Sequence, residues 1–343
     1  MKQDFIIEDG VLTEYAGHDI DVTIPYGIKG IGSYAFMNNS TLKTVGIPST
    51  VTSIGNGAFA RCKNLTDIII PEGVSQIGYA TFRDCRKLKS VLLPDSVESI
   101  DNGAFSNCHK LDNVALPNNL KSLGKFAFDS CRSLKNISIP KSLMIMDLCV
   151  FRDCRSLSQV TLPDGIKNIG EQAFAKCSAM ININIPDGVE SIGKKAFYRC
   201  SSLKSITIPD SVMSIREEAF AECDSLSTVT IPSSVTSLGT RAFYWCKSLI
   251  NVTFPDSIID IGSQAFYWTP WLKAQSQDLL YAGNVIIGYN GKSTDIVIPK
   301  GVKSIGAGAF RSCESLNSVL LPESIISIGD YAFEGCKNMR LLA

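Results

Sequence analysis

Histidine is nearly absent from this chain: His18 and His109 are the two in 343 residues. A Ser/His/Asp or Cys/His catalytic group would have to use one of them, and they stand in unrelated surroundings. Net charge is absent as well, with 33 basic against 33 acidic side chains. That balance leaves no electrostatic footprint for nucleic acid or an anionic membrane surface. No apolar run approaches the ~18 residues of a membrane span, so membrane insertion is not expected. Met1-Lys2-Gln3-Asp4 opens no apolar leader core, which leaves a cytoplasmic protein or a mature secreted segment as the alternatives. There is no C-x-x-C pair, so neither a metal nor another cofactor is expected. The acidic residues are scattered rather than paired. Gly55-x-Gly57-x-x-Ala60 matches a dinucleotide fingerprint only formally, since equivalent segments carry Lys195 or Gln264 in place of Gly57. An enzyme is not expected.

What is present is a period. From Pro25 to Pro255 proline recurs every 23 residues, and Pro299 and Pro322 resume the spacing. One unit reads IPDGVESIGKKAFYRCSSLKSIT, from Ile185 to Thr207. Leu203, Ile206 and Ile208 read as a short strand with alternate inward positions, and the following Pro ends it because it has no N–H to donate. Val189 and Ile192 read as a second short extended segment. The Gly after that Ile, present in ten of thirteen units, predicts a backbone corner at positive φ; Arg216 in the same place does not fit. Ala-Phe-x-x-Cys predicts one helical turn that sends Phe, Cys and the next Leu inward. A lone unit buries too little to offset the ordering of its backbone, so about thirteen coils must stack on one another.

The unit Ile-Pro-x-x-Val-x-x-Ile-Gly-x-x-Ala-Phe-x-x-Cys-x-x-Leu-x-x-Val resembles the BspA-like leucine-rich repeats, the 23-residue bacterial type, from about Asp21 to Met339. The resemblance implies a mainly β leucine-rich-repeat solenoid with short helical turns and a parallel sheet on its concave face. It also implies a non-catalytic, adhesin-like role at the cell surface or after secretion, recognising a protein ligand or alternatively a glycan. The other reading is an intracellular scaffold for protein–protein interaction. The oligomeric state is not legible.

Two segments break the period. Asp278 to Pro299 aligns without gaps to Asp4 to Pro25, with identities including Tyr15/Tyr289 and Gly17/Gly291. Each reads as a β-hairpin. The expected organisation is one solenoid domain over 1–343: a hairpin cap at 1–24, regular coils at 25–272, a hairpin insertion at 273–298 and final coils at 299–343 without a cap.

Eleven of the twelve cysteines repeat at one unit position, which Asn39 and Thr269 fill in the other two units. A column of small buried free thiols is the reading, with disulfides between neighbouring coils as the alternative. Cys149 falls outside the column and reads as the one cysteine that reacts readily with a thiol reagent, or else as a partly buried inert thiol. Two surfaces are candidates for ligand binding. One is a sheet ladder of small hydrogen-bonding groups, Asn184, Thr207, Thr230 and Thr253, preceded by apolar Ile69, Leu92 and Ala115. The other is an aromatic edge, Tyr198, Tyr244, Trp245, Tyr267, Trp268 and Trp271, which either stacks on a ligand or packs beneath the second hairpin. A basic edge of Arg61, Lys63, Arg83, Arg86, Lys87, Lys110, Arg132, Arg152 and Arg155 reads as solvated, or as a dock for an acidic partner.

Overall fold

A computed structural model describes residues 4–342; Met1, Lys2, Gln3 and Ala343, which the expected terminal segments include, lie outside the described residues. The chain divides into two compact units, Met1–Pro186 and Asp187–Ala343.

In the first unit, Phe5–Glu8 pairs antiparallel with Val11–Tyr15, with a register shift at Ile6/Ile7. Val11 and Leu12 then pair in parallel with Gly30–Ile31, and these with Ser53–Ile54. The three-residue strands Asp21–Thr23, Thr44–Gly46, Asp67–Ile69 and Ser90–Leu92 form a second parallel sheet with Asn113–Val114. Partners lie 23 residues apart, as Asp67 opposite Ser90.

The second unit repeats this plan. Ser191–Ile192, Ser214–Ile215, Ser237–Leu238 and Asp260–Ile261 pair in parallel. Leu279–Ala282 and Val285–Tyr289 make the second hairpin, with the register shift at the equivalent place, Leu280/Tyr281. In both hairpins the tyrosine hydroxyl folds over the Cα of the glycine two residues on, so no Cβ fits at Gly17 or Gly291. Both tyrosine rings pack at a tilt against the phenylalanine of the following coil, Tyr15 against Phe36 at 5.1 Å and Tyr289 against Phe310 at 5.6 Å.

The phenylalanines line up in columns. Phe59, Phe82 and Phe105 are spaced 5.5 and 5.3 Å between ring centroids and are nearly parallel. In the second unit, Phe197, Phe220, Phe243 and Phe266 stack at 5.2–5.3 Å.

Ala-Phe-x-x-Cys carries its inward side chains on a run of i→i−3 turns. Ala58, Ala60 and Cys62 donate their N–H groups to Gly55, Gly57 and Phe59 of the same coil. The intervening N–H groups of Gly57, Phe59 and Arg61 donate to Tyr79, Thr81 and Arg83 of the next coil. Each such coil needs positive φ at two places, as at Ala80 (53°) and Asp84 (62°), a demand ordinary residues meet at a steric cost of roughly 1–2 kcal/mol each.

The glycine expected at a positive-φ corner is not at one. Gly55, Gly124, Gly170, Gly239 and Gly262 carry no positive φ. Their requirement is space: an added Cβ would overlap the backbone of the preceding coil, at Ser33, Asn102, Met146, Glu217 and Thr240 respectively. Arg216, which a positive-φ corner would strain, also has no positive φ.

Candidate functional site

All twelve cysteines are free thiols. The S–H of Cys62 donates to the carbonyl of Phe36 in the preceding coil at 3.0 Å, and Cys85, Cys108, Cys131 and Cys154 repeat that bond. Two units carry another residue at the cysteine position. Asn39 donates to Gly17 of the hairpin segment and accepts from Thr41 and Leu42. Thr269 caps the short helix Pro270–Lys273 by accepting from Leu272.

Cys149, expected to be the reactive thiol, is buried, with 1% of its surface exposed. Burial pushes its thiol up to about 11. The inert-thiol reading fits, because position 149 belongs to the turn ladder (φ 54°) rather than to an outward edge. Cys313 and Cys336 are the partly exposed thiols. Alkylation of native, reduced protein should therefore label Cys313 and Cys336 first and all twelve after denaturation; mass spectrometry showing Cys149 labelled ahead of both would contradict this. Among the described residues, no group of three or more His, Cys, Asp or Glu side chains could hold a metal ion, and no helix is long and apolar enough to cross a membrane.

The aromatic edge lies in the second unit and separates into three parts. Tyr244, Trp245, Tyr267 and Trp268 form an outward cluster over two adjacent coils. Tyr244 stacks on Tyr267, and Trp245 meets Trp268 at a tilt of 36°, both at 6.4 Å. Trp245, Tyr267 and Trp268 keep 43–48% of their surface exposed. Lys247 and Lys273 lie 5.7 and 5.2 Å from the Trp245 and Trp268 ring centres. Trp271 instead turns inward, 4.9 Å from Phe266 and 5.5 Å from Phe254. Tyr198 stands apart and half-buried: its hydroxyl donates to Glu222 at 2.8 Å. Burial first, and that bond second, push its phenol up to about 12.

Thr207, Thr230 and Thr253 of the second unit are exposed, as is Asn184 at the end of the first. Ile69 and Leu92 of the first unit are exposed at 65% and 60% on the outer side of their sheet. The basic edge, also in the first unit, is partly neutralised. Arg152 holds buried Asp129 through two bonds of 2.8 and 3.1 Å. Arg132 and Arg155 both bond Asp153, at 3.0 and 2.8 Å. Although burial opposes it, the Arg155 and Arg132 guanidiniums hold the Asp153 carboxyl below the usual range. Burial chiefly, then Arg132 and Arg86, lower His109 and favour its neutral form.

Ion pairs recur across neighbouring coils at a spacing of 23: Lys121 with Glu98, Arg199 with Glu222, Lys247 with Asp224 and Arg311 with Glu334, at 2.7–2.9 Å. Exposed pairs contribute at most about 1 kcal/mol each.

The family model of the BspA-type leucine-rich repeat region matches residues 18–124, 75–194, 167–277 and 288–342. The chain belongs to that family. A leucine-rich repeat protein from Bacteroides ovatus is 30% identical, with 98% of this chain and 90% of that chain covered and a TM-score of 0.65. A leucine rich cell surface protein from Faecalibacterium prausnitzii is 27% identical over 100% of this chain and 93% of that one, with a TM-score of 0.54. The pneumococcal vaccine antigen PcpA, at 20% identity, covers 91% and 79% with a TM-score of 0.50 and shares the fold. No curated protein sequence matches the chain. BspA-type repeats are scaffolds, generally without catalytic machinery, and their architecture is consistent with protein interaction.

Sequence reasoning missed one feature of this BspA-type array. Arg83, Ser106, Ser130 and Arg152 line an open depression of about 500 Å³ on three neighbouring turn ladders and a fourth coil's arginine. The signal was available: Gly103 and Ser106 are small where the next coil has Phe126 and Asp129.

Proposed function

We propose that the protein is a non-catalytic recognition solenoid of the bacterial surface or of the secreted fraction, binding a protein ligand through Tyr244, Trp245, Tyr267 and Trp268. The observation that carries this reading is the in-register cluster of outward aromatic rings with lysines at its edge. Tryptophan and tyrosine supply large contact area with little conformational freedom to lose, and they are enriched among the residues that dominate binding energy. Trp271, turned onto Phe266 and Phe254, is not part of that contact surface. Tyr198, Thr207, Thr230, Thr253 and, in the first unit, Asn184 offer polar contacts for the same class of ligand. The named surface role of the Faecalibacterium relative supports the compartment.

The test is an array of extracellular-matrix proteins and neutral glycans, probed with wild type and a Trp245→Ala/Trp268→Ala double variant. A protein ligand should be bound, and the double variant should lose at least roughly 10-fold in affinity. Undiminished binding by the variant removes the aromatic cluster from the reading, and binding to glycans alone replaces the ligand class. The free thiols favour a second reading, an intracellular interaction scaffold, because unpaired cysteines in such number are commoner where disulfides do not persist. A leader or anchor encoded in the DNA flanking this sequence would decide against it.

A further inference from the structure

We propose that the depression around Ser106 in the first unit is a binding site for an anionic sugar residue, carboxylated or sulfated, separate from the aromatic cluster.

The depression arises from the repeat itself. At two turn-ladder positions the coil before carries Ala80 and Arg83, and the coil after carries Phe126 and Asp129. The coil between carries Gly103 and Ser106. A Cβ on Gly103 would meet nothing closer than 3.9 Å, so the coil is recessed between taller neighbours. The volume of about 500 Å³ lies within the range of small-molecule sites.

The lining is rich in donors. Arg152 is fixed in place by its two bonds to Asp129 and lies 5.3 Å from the centre of the Phe126 ring. Arg83 is held loosely: its nearest carboxylate oxygen, on Asp84, is 3.7 Å away, and half of the side chain is exposed. Its charge is available to a ligand. Asn102 accepts from the N–H of Lys125 through its carbonyl oxygen, which turns its amide N–H groups to other partners.

The deciding observation is a pair of hydroxyls. Ser106 and Ser130 are 7% and 9% exposed and line the depression, yet among the described residues neither side chain has a hydrogen-bond partner. Both hydroxyls open into the recess rather than being sealed from solvent, so a ligand can take up their bonds in place of water. A hydroxyl both donates and accepts, which matches the hydroxyls of a sugar. Tyr79 and Phe126 give the recess apolar walls for a sugar ring. Arg83 supplies the charge-assisted bond that selects an acidic group. Lys87 and Lys110 on the same edge add positive charge, while the Asp129 carboxylate in the lining is held by Arg152 and Asp84 lies beside Arg83 and Arg86.

The test is calorimetric titration of the full chain with 3′-sialyllactose, a sulfated heparin disaccharide, lactose and a glutamate-rich peptide. At least one anionic sugar should bind and lactose should not, with the better of the two naming the acidic group. Arg83→Gln should weaken binding by roughly 10-fold or more. Gly103→Phe should abolish it while the fold is kept at a somewhat lower melting temperature, because Gly103 sits at φ 64° and Phe126 occupies the equivalent position at φ 58°. Ser106→Arg, patterned on Arg83 and Arg152, fills the recess by a second route if Gly103→Phe fails to fold. Failure of both anionic sugars to bind, equal binding of lactose, full binding by both Arg83→Gln and the filled variants, or tighter binding of the peptide would each overturn the proposal. Trp245→Ala/Trp268→Ala should leave this binding intact, which separates it from the function proposed above.

Discussion

In reducing buffer the first unit should lose its fold between about pH 9 and 11. Burial raises Cys62 from an ordinary value near 9 to about 12 and Cys149 to about 11. Burial also raises Cys85, Cys108, Cys131 and Cys154. Below pH 9 the folded and unfolded chains both keep these protons, and stability does not depend on them. Above pH 9 the unfolded chain releases protons that the folded chain retains. Stability is therefore complete below the unfolded value and falls as pH climbs toward the folded ones. Each thiol contributes about 1.4 kcal/mol of loss per pH unit, and the six together roughly 8 kcal/mol per pH unit. That is comparable with the whole stability of a typical domain, about 5–15 kcal/mol. Circular dichroism against pH would show a steep transition, and Cys85→Ala/Cys131→Ala should make it shallower and move it upward. A fold intact at pH 11.5, or an unchanged transition in the double variant, would refute the coupling.

Phe105→Ala should cost about 3–5 kcal/mol, the range for deleting a fully buried aromatic ring. Phe105 is wholly buried, 5.3 Å from Phe82 and 5.1 Å from Phe128, with interplanar angles of 9° and 7°. The neighbouring rings are fixed by their own coils, so the cavity has little means of closing. Phe333, half-buried with Phe310 as its ring neighbour at 5.2 Å, should lose about 1–2 kcal/mol on the same change. Urea unfolding would measure both. A loss below 1 kcal/mol at Phe105, or equal losses at the two sites, would show that the columns do not carry stability in the way their geometry implies.

Most of the fold was legible because the constraint is periodic. A phenylalanine every 23 residues must either stack or scatter, and stacking follows once Pro, Val, Ile and Leu keep the same spacing. The turn ladder was less legible. Its positive-φ positions hold Tyr34, Ala80, Phe126, Lys195 and Trp245 among others, residues that do not announce such a backbone. The conformation is imposed by N–H groups shared with the next coil, and the glycines that appeared to mark it answer instead to the approach of the preceding coil. Among the candidate site residues, composition could not separate Trp271 from Trp245 and Trp268. Trp271 follows Thr269 and Pro270, whose short helix turns it onto Phe266. The recess at Gly103 and Ser106 escaped notice because it is defined by what adjacent coils have and this one lacks.

The shared amide bonds also govern how the molecule yields under load. Within either unit, every second N–H of a turn ladder is anchored on the next coil, so tension along the stack meets whole rungs rather than single bonds. A coil that peels away releases 23 residues at once, about 75 Å of extended chain. A tether built this way lengthens in even steps and dissipates a pull gradually, while the coils still stacked keep their surfaces unchanged.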